Sequence, residues 1–143
     1  MEAWHKYMLY GLVATLFISG VTWLLARYFL RTMGEFGENI NPLEHWSMQA
    51  HGGLIIPLSF LVGGLLFQHI RRAHRAQRNR NTGWSMILIL LWLALTGYAL
   101  YYFSSEDLRP YWSTAHWTIG LTLPLMLGFH IISGRKLSQV GNQ

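Results

Sequence analysis

Cysteine is absent from the 143-residue chain. That excludes a disulfide, an iron–sulfur cluster and a covalently attached c-type haem, each of which needs thiols. Charge is scarce too: Asp, Glu, Lys and Arg make up 12% of the chain, about half of what a soluble domain carries. No acidic residue or lysine falls inside the four long apolar runs. Proton relays and transporters usually mix histidine with carboxylates inside the membrane, so this lack argues against a channel or transporter.

What the chain has in abundance is apolar surface, with 52% hydrophobic and 15% aromatic residues. Four runs stand out, at 8–30, 52–70, 84–103 and 112–133. Each approaches the roughly 20 residues that a helix needs to cross a bilayer's hydrocarbon core. The expected architecture is therefore all-α: an integral membrane four-helix bundle forming a single domain over 1–143. The first run is longer than the 7 to 15 apolar residues, roughly, of a signal-peptide core and lacks a small-residue cleavage site, so it reads as a retained span.

The net charge of +5 has a topological source. The link at 71–83 holds Arg71, Arg72, Arg75, Arg78 and Arg80, whereas the links at 31–47 and 104–111 hold Glu35, Glu38, Glu44, Glu106 and Asp107. The positive-inside rule places the Arg-rich link in the cytoplasm together with both termini. Lys6, Arg135 and Lys136 agree, which puts eight of the eleven basic residues on that side. Arg27 and Arg31 fall at the outer end of the first span, where they can snorkel or neutralise an anionic group. No nucleic-acid partner is implied. Trp4, Trp46, Trp84 and Trp112 lie near span ends, as an interfacial aromatic belt requires. Pro57 and Pro124 fall within the second and fourth spans, where proline can kink a helix or simply be tolerated. No internal repeat is evident.

Ionisable residues within a membrane span are costly and mark functional positions, and here the relevant type is histidine. His51 and His69 bracket the second span, and His116 and His130 lie in the fourth. The 18-residue step between the first two is about five helical turns, and the 14-residue step between the second two is about 40° short of four turns. Each helix thus presents its two histidines along one stripe. The two spans run in the same direction, so His51 and His116 share one depth near the outer surface. His69 and His130 share another near the inner surface.

Two axial imidazoles give a six-coordinate haem iron suited to electron transfer, so the two pairs predict two b-type haems roughly 20 Å apart. Each ring also needs a hydrogen-bond acceptor for its other nitrogen, which spacing alone does not name. Taken singly, His5, His45 and His74 read as interfacial residues. Gly52, Gly53, Gly63, Gly64, Gly97, Gly120 and Gly128 either admit a porphyrin or allow close helix packing.

The run His116-Trp117-Thr118-Ile119-Gly120, followed by His130, resembles the fourth helix of a known group. These are the four-helix di-haem cytochrome b subunits that anchor formate dehydrogenases and nickel–iron hydrogenases to the bacterial inner membrane. Thr96-Gly97-Tyr98, Ser19-Gly20 and His51-Gly52-Gly53 are similar to that family's third, first and second helices. The resemblance covers the four spans and is specific around three histidines.

The resemblance implies two haems, quinone chemistry at the inner haem, a periplasmic redox protein or catalytic subunit as partner, and the bacterial inner membrane as location. It also implies an inner ligand from the start of the first helix, a position matched by His5, whereas phase and depth favour His69. The expected function is an electron-transfer subunit of an oxidoreductase complex that moves electrons between the quinone pool and the periplasmic partner. It would not be a complete enzyme. The alternative is a cofactor-free membrane scaffold.

Overall fold

A computed structural model of the chain describes residues 3–65, 71, 75 and 79–140. Four long helices dominate: α1 (Ala3–Phe29), α2 (Pro42–Leu65), α3 (Arg80–Tyr102) and α4 (Arg109–Val140). All four are long and apolar enough to cross a membrane, at about 35 to 48 Å each from the helical rise. A two-stranded ribbon, β1 (Thr32–Gly34) and β2 (Gly37–Asn39), lies between α1 and α2.

The helices start earlier than hydropathy suggests, for a local reason. Asn41 stands just before α2; its side-chain oxygen accepts the Leu43 N–H at 3.0 Å and its carbonyl accepts the Glu44 N–H at 2.9 Å. Pro42 then occupies the first helical position, where its missing N–H costs nothing. α2 therefore begins ten residues before the apolar run at 52, and His51 lies well inside the helix, about 14 Å from its start. Pro110 similarly follows the first residue of α4. Both helices continue through their internal prolines, Pro57 and Pro124.

The chain divides into two compact units, 1–67 and 68–143, each an antiparallel helical hairpin. In the first, α1 turns a buried stripe of Val13, Leu16, Ser19 and Ala26 toward a stripe of Glu44, Ser47 and Leu58 on α2. The helical period of about 3.6 residues accounts for both stripes. At the turn of this hairpin the Arg31 guanidinium donates to both carboxylate oxygens of Glu44, at 2.6 and 2.7 Å, and to Glu38 on β2 at 2.7 Å. Arg27 adds a longer contact of 3.8 Å to Glu44. The two arginines are thus engaged by acidic residues of their own hairpin. Their carboxylate partners also hold the Arg31 pKa above its already high ordinary value. The ribbon closes through Glu35 and Phe36, with Gly37 at φ 111°, a backbone region that favours glycine.

In the second unit α3 and α4 run antiparallel, and their contacts recede from the connecting turn in step. Gly97 meets His116, Leu93 meets Gly120, Gly83 meets His130, and Asn79 meets Gly134. His116 and His130 therefore both face α3. Outside the two hairpins the described residues are Arg71 and Arg75. His69 and His74 lie outside the described residues.

Candidate cofactor-binding site

Three of the histidines singled out by the sequence share one local geometry. On α2, Nδ1 of His51 lies 3.0 Å from the Ser19 hydroxyl of α1 and 3.0 Å from the Leu16 carbonyl. A carbonyl can only accept, so Nδ1 carries the ring proton. The Ser19 hydroxyl donates its own hydrogen to the Leu16 carbonyl at 2.8 Å, which leaves its oxygen to accept from His51.

The same arrangement recurs on α4. The Thr96 hydroxyl donates to the Trp92 carbonyl at 2.8 Å, and its oxygen accepts from Nδ1 of His116, also at 2.8 Å. Fourteen residues toward the N-terminus of α3, the Thr82 hydroxyl donates to the Asn79 side-chain oxygen at 2.6 Å and accepts from Nδ1 of His130 at 2.9 Å. In all three cases the hydroxyl has another acceptor for its own hydrogen, an arrangement that suits the Nδ1–H tautomer; at His130 the Asn79 Nδ2 also lies 3.4 Å from Nδ1. The lone pair is then on Nε2, the atom suited to bind a metal.

Each hydroxyl residue is followed by glycine, and the structure shows why. A Cβ at Gly20 would sit 3.2 Å from Cε1 of His51, and one at Gly97 would sit 3.3 Å from Cε1 of His116. Both distances are tighter than ordinary van der Waals contact, so glycine lets the imidazole edge lie against the partner helix. At Gly83 the distance to His130 is an ordinary 3.9 Å. A hydroxyl–glycine pair on the first helix of each hairpin therefore supports a histidine on the second. The two halves of the chain share this device, a repetition that the sequence does not display as similarity.

No known protein family, curated protein or solved structure matches the chain. Its likeness to the di-haem subunits therefore rests on these residues alone.

Of the four expected ligands, His51, His116 and His130 have this support, while His69 lies outside the described residues. His5, the alternative implied by the resemblance, stacks on Trp4 with ring centroids 4.0 Å apart. Among the described residues no three His, Asp or Glu side chains gather into a metal cluster, so the histidines stand one per site within their hairpins. Among the described residues, buried Thr96, only 1% exposed, and Ser19, 7% exposed, have no polar partners beyond backbone carbonyls and the imidazoles.

Other features of the site bear on a flat ligand. Gly52, Gly53, Gly63, Gly64 and Gly128 have nothing within 4 Å of where a Cβ would be. Packing inside the described hairpins is therefore not what requires glycine there. Trp117, next to His116, has a buried indole N–H with no hydrogen-bond partner among the described residues, and a buried donor of that kind normally finds an acceptor. An oriented imidazole, glycine-bared helix faces and a spare donor fit a haem.

Sequence reasoning missed Thr82, Gly83 and Asn79. The signal was present: Thr82-Gly83 precedes Thr96-Gly97 by 14 residues, the same step that separates His116 from His130.

Proposed function

We propose that this chain is a multi-pass subunit of the bacterial inner membrane that binds two b-type haems and moves electrons between the quinone pool and a periplasmic redox partner. The observation that carries the reading is the triple hydroxyl–imidazole bond, at His51, His116 and His130. Anchoring one ring nitrogen to an acceptor sets the tautomer and orientation of a metal-binding histidine and raises its basicity. A core histidine kept only for packing has no need of a preset tautomer three times over.

In this reading His51 and His116 hold the outer haem, and His130 holds the inner haem with His69 or His5 opposite. The Arg-rich link and both termini are cytoplasmic by the charge rule. The haems supply a reversible one-electron change, and bis-histidine ligation keeps other ligands off the iron. The protein's part is to fix ring direction through Ser19, Thr96 and Thr82, to bare the helix surface at glycines, and to exclude water with lipid-facing apolar walls. Protons for quinone chemistry at the inner face come from the cytoplasm.

Purification from haem-sufficient cells tests the reading directly. A dithionite-reduced b-type spectrum with two haems per chain is expected. Colourless protein, correctly inserted, would overturn it in favour of a cofactor-free scaffold.

A further inference from the structure

Asn79 occupies the position just before α3 with φ 53° and ψ 33°, the only left-handed non-glycine residue among those described. Asparagine before a helix normally turns its side chain back to cap the first free N–H groups. Here it makes no such bond. Its amide instead reaches α4: Nδ2 donates to the His130 carbonyl at 3.0 Å, while Oδ1 accepts the Thr82 hydroxyl at 2.6 Å. The amide lies over Gly134, whose absent Cβ leaves 3.4 Å for Nδ2. The same residue thus holds His130 at its backbone and through Thr82 at its ring, and its Nδ2 also lies 3.4 Å from the ring's Nδ1.

This separates the His130 site from the other two. At His51 and His116 the supporting hydroxyl is itself held by a carbonyl inside a helix, Leu16 or Trp92. Those carbonyls belong to rigid helical backbone. At His130 the hydroxyl's closest acceptor is a side chain, and that side chain belongs to the residue just before α3, within the Arg-rich link. The neighbouring Asn79 carbonyl, at 3.3 Å from the Thr82 hydroxyl, is the weaker alternative.

We infer that Asn79 is a positioning residue for the inner haem: through Thr82 and the His130 carbonyl it sets the orientation and basicity of the His130 ring, and with them the potential of that centre alone. The inference rests on the haem reading proposed above. It makes the cytoplasmic link, rather than a helix interior, the place from which the inner centre is adjusted. A hydrogen bond from Nδ1–H to a well-held acceptor gives the ring more electron density, which favours ferric iron. Loosening the acceptor therefore raises the midpoint potential.

The discriminating variant is Asn79→Gly, because glycine takes the left-handed backbone at no steric cost and removes only the side chain. Full-length wild type, Asn79→Gly, Thr82→Val and Thr82→Ser are to be purified and compared by haem-to-protein ratio and optical redox titration. The inner and outer components are assigned beforehand from His130→Ala and His116→Ala.

In Asn79→Gly and Thr82→Val we expect the inner component to move to higher potential or to be lost, with the outer component unmoved. A tenfold change in ferric over ferrous preference reads as about 59 mV for one electron. Thr82→Ser should restore the wild-type value. Asn79→Gly indistinguishable from wild type in content and both potentials would overturn the assignment, as would equal displacement of both components. Colourless wild-type protein would sink the haem reading itself, whereas coloured wild type with unresponsive variants would sink only the role of Asn79.

Discussion

The Thr96 hydroxyl lies 2.8 Å from Nδ1 of His116, and it does so while donating its own hydrogen to the Trp92 carbonyl. Thr96→Val keeps the shape of the side chain and removes the acceptor. Haem retention at the outer site should fall about 10- to 100-fold, the usual cost of losing such a bond, and Thr96→Ser should restore it. Titration of apoprotein with haem reads both outcomes.

The three glycines beside the hydroxyl residues should respond unequally to alanine. Gly20→Ala and Gly97→Ala put a methyl group 3.2 and 3.3 Å from their imidazoles, while Gly83→Ala meets His130 at 3.9 Å. The first two should shift the spectrum or reduce haem content, and the third should not. Helix propensity favours alanine over glycine by about 0.5–1 kcal/mol. Thermal stability of the haem-free protein should therefore not fall in parallel, and a parallel fall would show that packing alone is at stake.

Single histidine variants test the proposed pair of haems. His51→Ala and His116→Ala should each remove the same half of the b-type absorbance, because each takes one axial ligand from one iron. His69→Ala and His5→Ala then decide the inner ligand: whichever removes the other half is the partner of His130. An unchanged spectrum in both His51→Ala and His116→Ala would refute the outer pair.

The charge count bears on sidedness. A reporter active only in the periplasm, fused after Gln143, should remain inactive if the Arg-rich link and both termini are cytoplasmic. Activity would invert the protein and exchange the inner and outer labels of the haems.

Arg31 and Glu44 close the first hairpin. Arg31→Ala leaves Glu44, 6% exposed, with only the longer contact to Arg27. Charge-assisted, bidentate arginine–carboxylate bonds are stronger and more directional than neutral ones. A lower unfolding temperature is expected, together with faster proteolysis of the ribbon at 32–39.

The four helices were legible because a bilayer-length run of apolar residues leaves a strong hydropathy signal. Their beginnings were not, because Asn41 and Pro42 set the start of α2 through backbone chemistry that hydropathy ignores. The common stripe of His116 and His130 followed from helical phase, and both do meet α3. Their hydroxyl partners were hidden for a physical reason. Serine and threonine in apolar helices routinely bond a carbonyl one turn back, as Thr15, Thr22, Ser59 and Thr118 do. Residue type alone cannot separate those from a hydroxyl that also holds a ring. Arg31 was read as able to snorkel or to neutralise an anionic group, but that group could not be named because Glu44 lies 13 residues on, across a ribbon that only the fold closes.

Because every anchored ring is held by the helix beside it in the same hairpin, the orienting contacts do not wait for the cofactor. The rotational freedom of His51, His116 and His130 is surrendered when two neighbouring helices meet, so the entropy of aiming the ligand is charged to hairpin formation and not to cofactor capture. Each hairpin can thus form by itself with its imidazoles already aimed. A haem bound as proposed would meet rings already oriented, and protein lacking it should keep its hairpins.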